Sequence, residues 1–178
     1  LLSTFGAYAS MMSMNIFVYE ITQSEFWVGT VMAVQVISGI FFSPLLGYLA
    51  DIVSKKNLLV MSKGILAIAM LVILLIPTQY VLWYILFWAT LVGICSNLFD
   101  ISLKSLIPVI LPSEKILKGN SILMGGTNCV VAVAGICMAF QKWLFKSYYY
   151  VFVVSSLTYI LATFLLTGLK TKSSPEEK

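Results

Sequence analysis

The chain has 178 residues, 60% hydrophobic and 10% charged, with a formal net charge of +4 and a mean hydropathy of +0.99. A water-soluble domain cannot hide that much apolar surface, so lipid is the solvent for much of this chain. Its eleven basic residues are all Lys and stand at the edges of apolar runs rather than on one soluble face, which argues against nucleic acid as a partner.

A membrane-spanning helix needs about 20 predominantly apolar residues. Six such spans fit, at about 1–19, 26–50, 58–76, 80–104, 120–140 and 148–169, leaving 170–178 as a polar tail or the start of a linker. The expected fold is therefore an all-α membrane protein, a bundle of six transmembrane helices. The chain opens on Leu1 inside an apolar run, so the natural N-terminus is expected upstream.

The first span carries Gly6, Ser10, Ser13 and Asn15, which suit a face turned toward other helices. It ends in the short turn Glu20-Ile21-Thr22-Gln23-Ser24-Glu25, and Phe26-Trp27 then supplies an aromatic belt. The second span holds Gln35, Gly39 and Pro44; the proline removes a backbone donor and is expected to kink the helix. Stepping back by four from Asp51 gives Gly47, Ser43 and Gly39, one helix face of small residues suited to close packing that ends in a carboxylate. Asp51 closes one helix and Lys55 and Lys56 open the next, so each charge opposes its local helix dipole. A specific partner for them is one reading; mutual neutralisation in a tight loop is the other.

The third span stops at Pro77, and Lys63, about a turn inside it, is expected to snorkel to the surface. The fourth begins with Tyr80, Trp83 and Tyr84 and ends with Asn97, Asp100 and Lys104. The prolines Pro108 and Pro112 are expected to stop any continuous helix, with Ser113 as the N-cap of a new one. The fifth span holds Gly125, Gly126, Asn128 and Gly135; Lys142 and Lys146 lie in the turn before the sixth.

The stretch Gly47-Tyr48-Leu49-Ala50-Asp51-Ile52-Val53-Ser54-Lys55-Lys56 resembles the loop between the second and third helices of major facilitator superfamily transporters, Gly-x-Leu-Ala-Asp-Arg-x-Gly-Arg-(Arg/Lys). Gly47, Leu49, Ala50, Asp51, Lys55 and Lys56 match in kind, whereas Ile52 stands for the usual Arg and Ser54 for the usual Gly. Tyr19 to Ser24 is similar to the end of the first span in drug- and siderophore-efflux members. Leu106-Ile107-Pro108, Leu111-Pro112 and Gly119-Asn120 are similar to the stretch shared by their fourth and fifth spans. The Gly-Pro those relatives often carry in the fifth span is here Gly135-Ile136.

The resemblance implies the N-terminal six-helix half of a transporter, built as 3+3 inverted repeats, with its cavity opening on a C-terminal half that is missing here or replaced by self-association. It implies proton-coupled efflux of a small amphipathic compound, an antiporter working by alternating access in the cell membrane. It further implies that Asp100 pairs with Lys55 or Lys56 as a gate; the nearer alternative is a plain Asp100–Lys104 pair. Some family exporters use an acid in the first span to bind cations or carry protons, which makes Glu20 a candidate beside its reading as a solvated loop residue. Asn15, Gln35, Asn97 and Asn128 suit a substrate cavity and helix–helix hydrogen bonds equally.

No catalytic constellation is visible: the chain has no His, and Cys95, Cys129 and Cys137 lack metal-type or Cys-x-x-Cys spacing. Neither an enzyme, a metal nor a cofactor is expected. The alternative to transport is a noncatalytic membrane assembly or scaffold protein. With the N-terminal end cytoplasmic, Lys55, Lys56, Lys63, Lys104, Lys115, Lys118, Lys170, Lys172 and Lys178 lie inside and only Lys142 and Lys146 outside, the expected positive-inside orientation.

Overall fold

Among the described residues the apolar runs condense into six long helices: α1 (Leu2–Thr22), α2 (Glu25–Ile52), α3 (Lys55–Val72), α4 (Val81–Ile110), α5 (Ser113–Ala139) and α6 (Tyr148–Thr167). In this computed structural model the described residues are 2–110, 112–140 and 148–167. Lys142 and Lys146 and the tail from 168, including Lys170, Lys172 and Lys178, lie outside them.

The described connections between successive helices are short. Gln23, at φ 50°, turns α1 into α2. Ile73–Leu75 and Thr78–Tyr80 form single turns of 3-10 helix on either side of Pro77, which ends the third span where the sequence places its stop. Pro44 lies inside α2, which continues beyond it to Ile52.

Two boundaries differ from expectation. α4 does not stop at the first of the paired prolines but runs through Pro108 to Ile110. A proline late in a helix removes one backbone bond, and membrane helices accommodate such a loss. The break falls at Pro112, which itself occupies the N-cap position of α5, so Ser113 is the first helical residue rather than the cap. Proline's fixed φ suits that end of a helix.

Among the described residues, four stretches are long and apolar enough to cross a membrane: Glu25–Ile52, Lys55–Leu75, Val81–Ser105 and Lys115–Met138. Six were expected. In α1 the hydroxyls, Asn15 and Glu20 dilute the apolar content, and in α6 the apolar stretch among the described residues is the shorter Phe152–Leu165.

The main packing pairs are α2–α4, α3–α6, α3–α4, α1–α6, α1–α5, α1–α2 and α4–α5. Met14 and Val18 of α1, Leu66 and Met70 of α3, Ile85 and Trp88 of α4, and Phe152 and Tyr159 of α6 belong to one buried core. A smaller cluster of Leu46, Ala50, Leu58 and Leu98 sits beneath the α2–α3 turn. Large apolar side chains also cover the outside, among them Ile40, Phe41, Ile68, Met124, Ile136 and Phe164. In water such a surface would aggregate; in a bilayer it is the solvated surface.

Candidate functional site: the charged corner and the buried lysine above it

The α2–α3 turn is built by an abrupt change of backbone direction. Val53 donates its N–H to Leu49 O at 3.0 Å, closing α2, and Leu58 N–H bonds to Ser54 O at 3.1 Å, opening α3. Asp51 is exposed on the last turn of α2, and Lys55 and Lys56 are half-buried on the first turn of α3. Lys56 Nζ donates to the backbone oxygen of Thr167 at 2.7 Å. A cation at the C-terminal end of α6 is favoured by that helix's dipole, so Lys56 ties the turn to α6.

Asp100 and Lys104 are both exposed on α4. Among the described residues, neither Asp51 nor Asp100 has a lysine nitrogen within 4.0 Å.

Lys63 corrects the snorkelling expectation. It is only 3% exposed, and its Nζ lies 3.8 Å from the ring centroid of Phe99 on α4 and 5.9 Å from that of Tyr159 on α6. Lys63 is eight residues into α3 and shares the inward face of Leu59, Leu66 and Met70, so its stem points into the bundle. The two ring faces offer it quadrupole attraction in place of water. Sequence reading treated it as an edge lysine; the missed signal was its phase with the apolar positions around it.

The close-packing stripe divides in the structure. Gly39 is buried against α4: a Cβ there would meet Gly93 O at 3.0 Å, and Asn97 Nδ2 donates to Gly39 O at 2.6 Å. Gly93 was not singled out from sequence, yet a Cβ on it would collide with Gln35 O and Ser38 Oγ. Ser38 Oγ bonds to Gln35 O at 3.0 Å and to Thr90 O at 3.3 Å. Ser43 is half-buried, and a Cβ at Gly47 would meet nothing within 4 Å. Gly39 thus serves the crossing of α2 with α4, while the Gly47 end is open.

The remaining polar candidates separate in the same way. Asn97 clamps α4 to α2, and Gln35 is half-buried beside that crossing. Asn15 lies with Ile16, Tyr19, Glu25 and Val28 along a groove of about 340 Å³ between α1 and α2. Glu20 is half-buried one turn farther along α1, where its backbone oxygen accepts a bond from Gln23 Nε2 at 2.9 Å. Asn128 is exposed on α5. Ser10 and Ser13 are buried and bond back to Gly6 O and Ala9 O, so their hydroxyls face other helices without loss. Among the described residues no group of three or more His, Cys, Asp or Glu could hold a metal ion.

Long apolar helices, an apolar exterior and a charged turn between the second and third helices define a multi-pass membrane protein. Residues 1–178 match the family model of the Major Facilitator Superfamily, and the chain belongs to that family of membrane transporters. No curated protein and no solved structure matches it. Family membership places the chain in the lipid bilayer and implies a small-molecule substrate.

Proposed function

We propose that the chain is a six-helix half of a secondary active transporter, a proton-coupled antiporter that exports a small amphipathic compound from the cell by alternating access. The observation that carries the transport reading is the family match along residues 1–178. Export rests on the similarity of Tyr19 to Ser24 to efflux members of the family. The scaffold alternative has no observation in its favour.

The packing pattern supports an origin in two three-helix repeats. Exchanging α1 with α4, α2 with α5 and α3 with α6 turns the set of main packing pairs into itself. An approximate two-fold relation between the triplets would produce that pattern. In this reading all six helices span the cell membrane, with both ends of the segment cytoplasmic, and a second six-helix unit closes the cavity.

Asp51, Lys55, Lys56, Asp100 and Lys104 form the gate. A switch between two states requires contacts present in one and absent in the other. Asp51 and Asp100, exposed and without a lysine within 4.0 Å among the described residues, suit the state in which the gate is open. Asn15, Gln35, Asn128 and Glu20 are the cavity and coupling candidates, whereas Asn97 is committed to α2.

The test uses everted membrane vesicles from cells expressing the whole gene product, energised by respiration, with a cationic amphipathic dye as the probe. Protonophore-sensitive accumulation above that of control vesicles is expected. Accumulation equal to the controls across a panel of cationic, neutral and anionic dyes would remove the export reading.

A further inference from the structure

Lys63 is the only charged side chain among the described buried residues, and neither the gate nor the cavity candidates use it. It lies about 12 Å along α3 from Lys55. Among the described residues no carboxylate oxygen comes within 4.0 Å of its Nζ, which the rings of Phe99 and Tyr159 flank. An ammonium held only by ring faces inside a membrane span is costly, and a group kept at such a cost is a functional candidate by default.

Its surroundings hold more polar groups than the packing satisfies. Three buried side-chain atoms have no hydrogen-bond partner among the described residues: Trp88 Nε1, Ser102 Oγ and Ser155 Oγ. All three belong to the two helix faces that meet Lys63. Trp88, Cys95, Phe99 and Ser102, at steps of seven, four and three, share one face of α4. Ser155 stands one turn before Tyr159 on the buried face of α6. From Trp88 to Ser102 the α4 face extends about 21 Å, roughly two thirds of the hydrocarbon thickness of a bilayer. Buried polar groups without protein partners are ordinarily satisfied by water. A row of them beside an amine suits the movement of protons.

We propose that Lys63 is the proton-carrying group of the transporter, served by a hydrated path along this face of α4 inside the six-helix unit. As an ammonium, Lys63 is attracted to the rings of Phe99 and Tyr159. On release one N–H bond breaks, its electron pair stays on nitrogen, and the proton passes to water of the path. The amine is not drawn to the ring faces, so loading and unloading change the α3–α4–α6 contact and bias two states of the bundle. The other titratable groups around it are the buried thiol of Cys95 and the exposed Asp100 on α4, and the buried phenol of Tyr159 on α6. The coupling role rests on the proton-coupled antiport proposed for the chain; the titration of Lys63 does not.

Two measurements on the whole gene product test it. In detergent, with isotope-labelled lysine side chains, the NMR signal of Lys63 Nζ is assigned by its loss in Lys63→Met. It should pass from ammonium to amine within the pH range over which the protein stays folded. A signal that remains ammonium until the protein unfolds would overturn the proposal, whether or not any dye is transported. In energised everted vesicles, Lys63→Met and Lys63→Arg should both lose protonophore-sensitive accumulation of the cationic dye. Arginine keeps the charge but does not release its proton. Lys63→His should retain accumulation with its optimum moved to lower pH, as the lower ordinary pKa of imidazole requires. Accumulation by Lys63→Arg at the natural level would overturn the proposal, since charge alone would then suffice. Ser102→Val narrows the path and removes its hydroxyl, so it should slow accumulation; the natural rate in folded Ser102→Val would remove the path. Vesicles of the natural protein that accumulate no dye would remove the export reading, and the NMR signal would still decide whether Lys63 exchanges a proton.

Discussion

At Gly93 a single added carbon decides whether α4 can cross α2, because the space is already taken by Gln35 O and Ser38 Oγ. Gly93→Leu should cost about 2 kcal/mol or more, seen as a lower unfolding temperature in detergent. Gly64→Ala, by contrast, should leave that temperature unchanged or raise it, because nothing opposes the new methyl and alanine favours a helix. Lys63 makes the opposite case. Among the described residues its charge is buried between rings rather than paired within 4.0 Å, and Lys63→Met keeps the stem while removing the charge. Buried charges are often replaced by apolar groups without loss of stability, so Lys63→Met should unfold at or above the temperature of the natural protein. A sharp drop would mean that the ammonium holds α3, α4 and α6 together. For Asp51 the expectation is functional: Asp51→Asn should reduce transport about tenfold, a change of about 1.4 kcal/mol, with membrane insertion intact. Unaltered transport in Asp51→Asn would leave the carboxylate a structural role only.

The all-helical fold and the stop at Pro77 were legible because apolar runs and a proline leave little freedom in a lipid-solvated chain. The α4–α5 boundary was not, because local sequence marks two prolines as stops and only the bundle decides which one ends the helix. Nor could helix phase be assigned to partners. Gly39 and Gly47 share a face in the sequence pattern, yet one packs on α4 and the other is open. Lys63 was misplaced because charge was weighed and phase was not. The α2–α3 turn carries the orientation prediction. A cysteine at Ser54 should be protected from an impermeant thiol reagent in intact cells, and one at Gln23, in the α1–α2 turn, should react. External labelling at Ser54 would invert the orientation and move the charged corner to the outer face.

At the scale of the molecule, α2 and α5 are the least covered of the four apolar spans among the described residues, with Ile40, Phe41, Met124 and Ile136 all exposed. In the proposed transporter these faces would serve a second six-helix unit, supplied by a longer chain or another copy. The isolated 178-residue monomer should then show no gradient-driven flux in liposomes. The resemblance to a transporter family was legible from Gly47 to Lys56, and the match along residues 1–178 bears it out. Substrate and coupling ion were not legible, because a cavity formed between two units is determined by both. The most direct measurement is proton movement driven by substrate. Proteoliposomes of the whole gene product, loaded with a cationic amphipathic dye and a lumenal pH indicator, are diluted into dye-free buffer. An antiporter should bring protons in as the dye leaves, so the lumen should acidify relative to protein-free liposomes. Dye leaving through the protein with no change in lumenal pH would contradict proton-coupled exchange.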